Sequence, residues 1–224
     1  MLSDIPNSLL LDARLRFPDP RRASADGLVA IGGDLSVPRL LLAYRSGIFP
    51  WTVHPITWWS PDPRAIVELD QFHTPRSLEK FLRKCPFEVT EDRAFRSVME
   101  GCAEPALGRE QTWVTPEFIE AYTRLHEQGH AHSVECWRAG ELVGGIYGVR
   151  VGGLFAGESM FHRASNASKV ALCHLVHHLR ARGFALFDIQ MVTPATLRLG
   201  AVEISRSEYL RRLRRAVDLP CSFR

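Results

Sequence analysis

Residues 131–161, AHSVECWRAGELVGGIYGVRVGGLFAGESMF, constrain the fold more than any other stretch of the chain. Three β-rich runs are separated by the turn formers of RAGE and RVGG, the pattern of an antiparallel meander. Helical segments precede it. TPRSLEKFLRKC starts with Thr74 as cap and Pro75 at the first helical position, and carries Leu78, Phe81 and Leu82 on an apolar face. DRAFRSVMEGCA follows, then TPEFIEAYTRLHEQG, capped by Thr115 with Pro116 and ended by Gly129. After the meander, Ser168 to Arg182 turns Val170, Leu172, Leu175, Val176 and Leu179 inward, stops at Gly183, and leads into the strand ALFDIQM. This order of helices and strands predicts a mixed α/β (α+β) domain.

The first sixty residues have a different texture. FPDPRR, IGGDLS, GIFPW and WWSPDPR punctuate them with Pro and Gly, and one helix interrupts them, capped by Ser36, with Pro38 in its first turn and Gly47 as its stop. The change of texture near Pro63 predicts a small N-terminal domain over residues 1–63 and a larger domain over 64–224.

No apolar run approaches the ~18 residues of a membrane span, so a membrane protein is excluded. The N-terminus has no basic region before its short apolar patch Leu9 to Leu11, which argues against a secretory signal. Five cysteines without C-x-x-C spacing support neither a disulfide framework nor a zinc ribbon and point to reduced cytoplasm. A formal charge of +3 does not announce a nucleic-acid binder, so any such role depends on where the charges lie.

Strand alternation in ALFDIQM sends Asp188 and Gln190 to the same face. A carboxylate and an amide held on a strand form a rigid polar pair. The amide carbonyl can accept a hydrogen bond and orient an N–H nucleophile, but it cannot remove a proton outright, so the reaction served must start from an activated substrate. In FAGESMF, Glu158 between Ala156 and Met160 is a second acid on an inner strand. Arg76, Lys80, Arg83 and Lys84 stand at i, i+4, i+7 and i+8, one helical stripe able to track a phosphate backbone, though such stripes are ordinarily just solvated. Trp51, Trp58, Trp59 and Trp113 flank the Pro-rich junctions, where aromatics pack domains together or stack on a base.

His126, His130 and His132 cluster in sequence, as do His174, His177 and His178, but neither group has an acidic or thiolate partner at matching spacing, so no metal site is expected. The helix after the meander also brings to mind the pyrophosphate loop of acetyl-CoA-dependent N-acyltransferases. Here that loop reads RASNAS, with Asn166 and Ser168 where glycines would let phosphate approach. An acetyl-CoA-dependent N-acetyltransferase is therefore the alternative reading, on the same architecture, and no cofactor is expected.

Taken together, GLVAIGGDLSVPRLLLAYRSGIFPW, WWSPDPRA, TWVTPEFIEAYTRLHEQGHAHSVE, LVGGIYGV, LFAGESMFHRASNASKVAL and FDIQ…LGAVEISRSEYL strongly resemble the leucyl/phenylalanyl-tRNA–protein transferases of bacteria. The likeness runs from about residue 16 to 213. It implies a small N-terminal domain joined to an acyltransferase-like (GNAT-like) mixed-sheet domain, and an aminoacyltransferase acting in the cytoplasm as a monomer. The implied reaction moves Leu or Phe, with Met a further donor, from aminoacyl-tRNA to the α-amino group of proteins beginning with Arg or Lys, marking them for degradation. By the same resemblance the catalytic pair is Asp188 and Gln190. The aminoacyl pocket and adenosine contacts fall on Trp51, Trp113, Ile146, Phe155, Glu158 and Met160, with Leu175 and Leu179 at two positions that are aromatic in some members. The acceptor stem of the tRNA meets Arg76, Lys80, Arg83 and Lys84.

Overall fold

The computed structural model describes residues 10–105 and 112–224. The N-terminal part is a small sheet with one helix: β1 (Leu10–Leu11), β2 (Leu28–Gly32), α1 (Val37–Arg45), β3 (Phe49–Val53) and β4 (Ile56–Trp59). Its strand order is β1-β2-β4-β3, with β1–β2 parallel and the other pairs antiparallel. The density of Pro and Gly hides these strands from a reading of the sequence. Pro50 is tolerated because β3 is an edge strand, where a missing N–H breaks no ladder. Ser36 sits at the N-cap of α1 but makes no side-chain cap bond. Gly47 ends the helix at φ +79, and a Cβ there would lie 2.6 Å from the side chain of Leu210, so conformation and space both favour glycine.

The chain then enters a seven-stranded sheet: β5 (Arg64–Val67), α2 (Arg76–Leu82), β6 (Glu88–Glu91), α3 (Phe95–Ala103), α4 (Pro116–Glu127), β7 (Ala131–Arg138), β8 (Glu141–Val151), β9 (Leu154–His162), α5 (Ala167–Ala181), β10 (Leu186–Gln190), α6 (Pro194–Leu197), β11 (Ala201–Ile204) and α7 (Arg206–Ala216). The order is β11-β5-β10-β9-β8-β7-β6, with β10–β9 the parallel pair. The meander forms as its turns require: Arg138 pairs with Glu141 across Ala139 and Gly140, both at positive φ, the signature of a two-residue hairpin turn. Helix α2 starts one residue later than expected, with Pro75 as N-cap, and ends at Leu82, so Lys84 lies beyond it.

Strand residues alternate between two apolar cores. Tyr147, Val149, Leu154, Ala156 and Leu186 share one with α1, α3, α4, α7 and the small sheet, whose Trp58 is fully buried. Ile146, Phe155 and Phe187 share the other with α5. The C-terminal end docks on the domain: Phe223 is 1% exposed, stacks on His132 with ring centroids 4.2 Å apart, and Arg224 Nε donates to Asp92 Oδ2 at 2.8 Å. Among the described residues no helix is long and apolar enough to cross a membrane.

Candidate active site

Strands β9 and β10 run together only as far as the pair Asp188–Ala156, and beyond it they no longer pair. Two bulges shape the gap. In β9 the register against β8 shifts so that Ser159 opposes Tyr147 and Gly157 opposes Gly148, leaving Glu158 between them without a partner. In β10 the register against β5 shifts between Asp188 and Gln190, and Gln190 adopts φ +58. A non-glycine residue in that region costs on the order of 1–2 kcal/mol, and bulges of this kind re-aim side chains. Here they bring Gln190 and Glu158 together: Gln190 Nε2 donates to Glu158 Oε1 at 2.9 Å.

Asp188 does not share that outlook, which corrects the expectation that acid and amide project side by side. Its carboxylate is buried and saturated. Arg64 Nε donates to Oδ1 at 2.9 Å and Arg64 Nη2 to Oδ2 at 2.6 Å, Tyr209 hydroxyl donates to Oδ2 at 2.7 Å, and the Gln190 backbone N–H donates to Oδ1 at 2.9 Å. The ladder is broken at the bulge, so the freed Gln190 N–H must find another acceptor, and the carboxylate two residues back supplies it. Arg64 is itself clamped between the rings of Phe49 and Tyr209, 4.8 and 4.4 Å from its guanidinium carbon. Burial works against the Arg64 charge, but Asp188, with Tyr209 and Glu158 adding to it, holds the guanidinium well above its usual range. The pair forms a floor under Gln190, out of reach of an entering molecule.

Glu158 is the acid that faces the gap. It is half-buried, receives Gln190 Nε2, and lies 3.5 Å from the hydroxyl of Tyr122, which in turn bonds the hydroxyl of Tyr44. Burial pushes its carboxyl up to about 8, against the opposing hydrogen bond from Tyr44 and with the repulsion of Asp188 adding to the rise. Near neutral pH such a group can both give and take a proton.

Above this pair opens a cavity of about 480 Å³, within the size of small-molecule sites. Of the expected residues, Trp51, Trp113, Ile146, Glu158, Met160 and Gln190 line it. Phe155, Leu175 and Leu179 do not; they are buried in the α5 core, 1%, 1% and 0% exposed, and back the wall instead. Leu172, one turn earlier on α5, borders the cavity in their place, joined by Phe49, Ile189 and Thr196. Helical spacing marked Leu172 as inward but could not say that it, rather than Leu175, meets open space. Arg76, Lys80, Arg83 and Lys84 are all exposed, and among the described residues none joins an ion pair; the first three follow α2 and its C-cap, while Lys84 sits in the turn after it.

The family models and the curated relatives point to the same family. The model of the family described as leucyl/phenylalanyl-tRNA protein transferase matches residues 66–214, and that of its N-terminal domain matches residues 33–62. The leucyl/phenylalanyl-tRNA–protein transferase of Pseudoalteromonas atlantica is 50% identical over 214 residues, covering 94% of this chain and 92% of its own. That of Magnetococcus marinus is 52% identical over 211 residues, covering 91% and 89%. Among solved structures, a GCN5-related N-acetyltransferase-like protein from Streptococcus suis matches with a TM-score of 0.37 at 14% identity, covering 71% of this chain and 60% of that one.

Proposed function

The chain belongs to the leucyl/phenylalanyl-tRNA–protein transferase family, and from that premise we propose how this cavity carries out aminoacyl transfer and to which acceptors. Leu or Phe, with Met as a further donor, leaves its tRNA ester for the α-amino group of proteins that begin with Arg or Lys, creating a degradation signal. The work takes place in the cytoplasm and within one chain.

The observation that carries the reading is the hydrogen bond from Gln190 Nε2 to Glu158 at the mouth of the parted strands. With its amide nitrogen committed there, the acceptor that Gln190 offers an incoming amine is its carbonyl oxygen. An aminoacyl ester is already activated, and an α-amino group with pKa near ~8 is substantially neutral at pH 7–8, so the amine must chiefly be aimed. Its nitrogen attacks the ester carbonyl, the bond to the ribose oxygen breaks, and that oxygen leaves as a hydroxyl. Glu158, whose carboxyl sits at about 8, takes the proton of the attacking amine and returns it to the leaving oxygen. Asp188 and Arg64 act one step back, as positioning residues that pin the strained backbone of Gln190. Trp51 and Trp113 flank the cavity as stacking surfaces for the terminal adenosine. Arg76, Lys80, Arg83 and Lys84 meet the acceptor-stem phosphates.

The acetyl-CoA reading has weaker support: Asn166, at φ +66, and Ser168 occupy the start of α5 where close approach to a pyrophosphate calls for glycine. The test is direct. Purified protein, labelled Leu-tRNA and a model protein with N-terminal Arg give labelled acceptor, RNase treatment of the donor abolishes it, and the same protein with N-terminal Met stays unlabelled. Labelling that survives RNase, or that ignores the acceptor's first residue, overturns the proposal.

A further inference from the structure

Folding brings Glu91, at the end of edge strand β6, against His174 and His178, one turn apart on α5. Glu91 Oε1 lies 2.8 Å from His174 Nε2 and 2.8 Å from His178 Nδ1. A second bond fixes what those nitrogens present. His178 Nε2 is 2.7 Å from the backbone carbonyl of Phe223, which can only accept, so Nε2 carries the hydrogen. In the neutral ring Nδ1 is then a bare lone pair, aimed at a carboxylate oxygen that is also an acceptor. Two acceptors at that separation repel unless a cation lies between them, either a proton on His178 or a metal ion.

We propose that Glu91, His174 and His178 form a site for a divalent transition-metal ion of the zinc class, with water completing the coordination. The donor set selects the ion: two imidazoles and one carboxylate suit zinc-like cations rather than magnesium or calcium, which take oxygen ligands. Bonds of about 2.0–2.1 Å in tetrahedral array place ligand atoms roughly 3.3 Å apart, so the two spacings from Glu91 to the histidines open by roughly half an ångström on binding. The side chains are 33%, 39% and 11% exposed, which leaves an entry path. The Phe223 carbonyl behind His178 is the outer partner that holds a metal-binding imidazole in its tautomer and orientation. The site escaped notice in the sequence because its carboxylate lies 83 residues before the first histidine. Once filled it ties the sheet's edge strand to α5 and, through His178, steadies the docked C-terminal tail.

Isothermal titration of Zn²⁺ into the chelator-treated full-length protein tests this, with thermal unfolding beside it. Wild-type protein takes up one equivalent, and metal at about 100 times the dissociation constant raises Tm by roughly 5–10 °C. His174→Ala and Glu91→Gln each weaken binding at least tenfold and lose the shift. A Cys85→Ser/Cys221→Ser variant, which removes the two half-buried thiols as rival ligands, binds like wild type. His178 is left unsubstituted because it also holds the tail. No stoichiometric uptake means that a proton alone fills the gap and overturns the proposal. So does binding that persists in His174→Ala, or that vanishes in the cysteine variant.

Discussion

Asp188→Asn separates a positioning carboxylate from one that touches substrate. The substitution keeps the side-chain shape and leaves an oxygen for the Gln190 N–H, but it removes the charge that faces Arg64 at 2.6 Å. Both partners are 1% exposed, and Arg64 stays protonated between two aromatic rings without its hydrogen-bonded counter-charge. Breaking a buried pair from one side costs roughly 3–5 kcal/mol, a large part of the roughly 5–15 kcal/mol that holds a typical domain folded. At about 2–4 °C per kcal/mol for a chain of this size, Tm falls by roughly 6–20 °C. Urea titration followed by circular dichroism, with transfer rates measured on the same samples, provides the assay. Arg64→Met in the Asp188→Asn background removes the stranded charge while keeping an apolar chain between the rings of Phe49 and Tyr209, so the double variant recovers at least about half of the lost stability. Stability within about 0.5 kcal/mol of wild type for Asp188→Asn, or a double variant no better than the single, refutes the account of the floor beneath Gln190.

Other consequences follow from the same geometry. The carboxyl of Glu158 is raised from 4.5 to about 8, so its contribution to stability is fully present below the unfolded value and is lost as pH rises through about 8; Glu158→Gln removes that slope from pH-dependent unfolding curves. In single-turnover transfer the wild-type rate climbs through about pH 8, while Glu158→Gln is slower and keeps only the titration of the acceptor amine; an unchanged rate and profile would dismiss the proton-acceptor role. At position 190, where φ is +58, Gly is more stable than Ala by on the order of 1–2 kcal/mol in urea melts, the reverse of the usual order, although both variants lack the side chain. Lys80→Ala and Arg83→Ala each weaken binding of aminoacyl-tRNA and lower the salt dependence by about 0.7–0.9 in log–log slope per charge, while a minimal aminoacyl-adenosine donor binds as before.

What could be read from the sequence, and what could not, divides along physical lines. The meander, α4, α5 and the strand carrying Asp188 were legible because local periodicity and turn residues act over a few positions, as at Ala139–Gly140. The small sheet was not, since Pro50 and the surrounding glycines mask strands whose pairing partners lie elsewhere in the chain. Gln190 and Glu158 were marked by being polar on apolar strands. Their meeting depends on two bulges, and a bulge shifts the alternation from which a face is read without leaving a trace in residue type. Arg64 was overlooked altogether: in the sequence it is one more arginine beside a Pro-rich turn, and only the antiparallel pairing of β5 with β10 gives it a carboxylate to hold. Leu175 and Leu179 were inward as expected, but inward means core for these two and cavity for Leu172.

The most direct measurement is single-turnover transfer from pre-formed Leu-tRNA to a peptide with N-terminal Arg, comparing wild type with Gln190→Ala while donor affinity is followed separately. If Gln190 aims the amine, the chemical step slows by on the order of 10²-fold or more, as misplacement in such steps does, and the donor binds with unchanged affinity. A near-normal rate for Gln190→Ala would contradict the account.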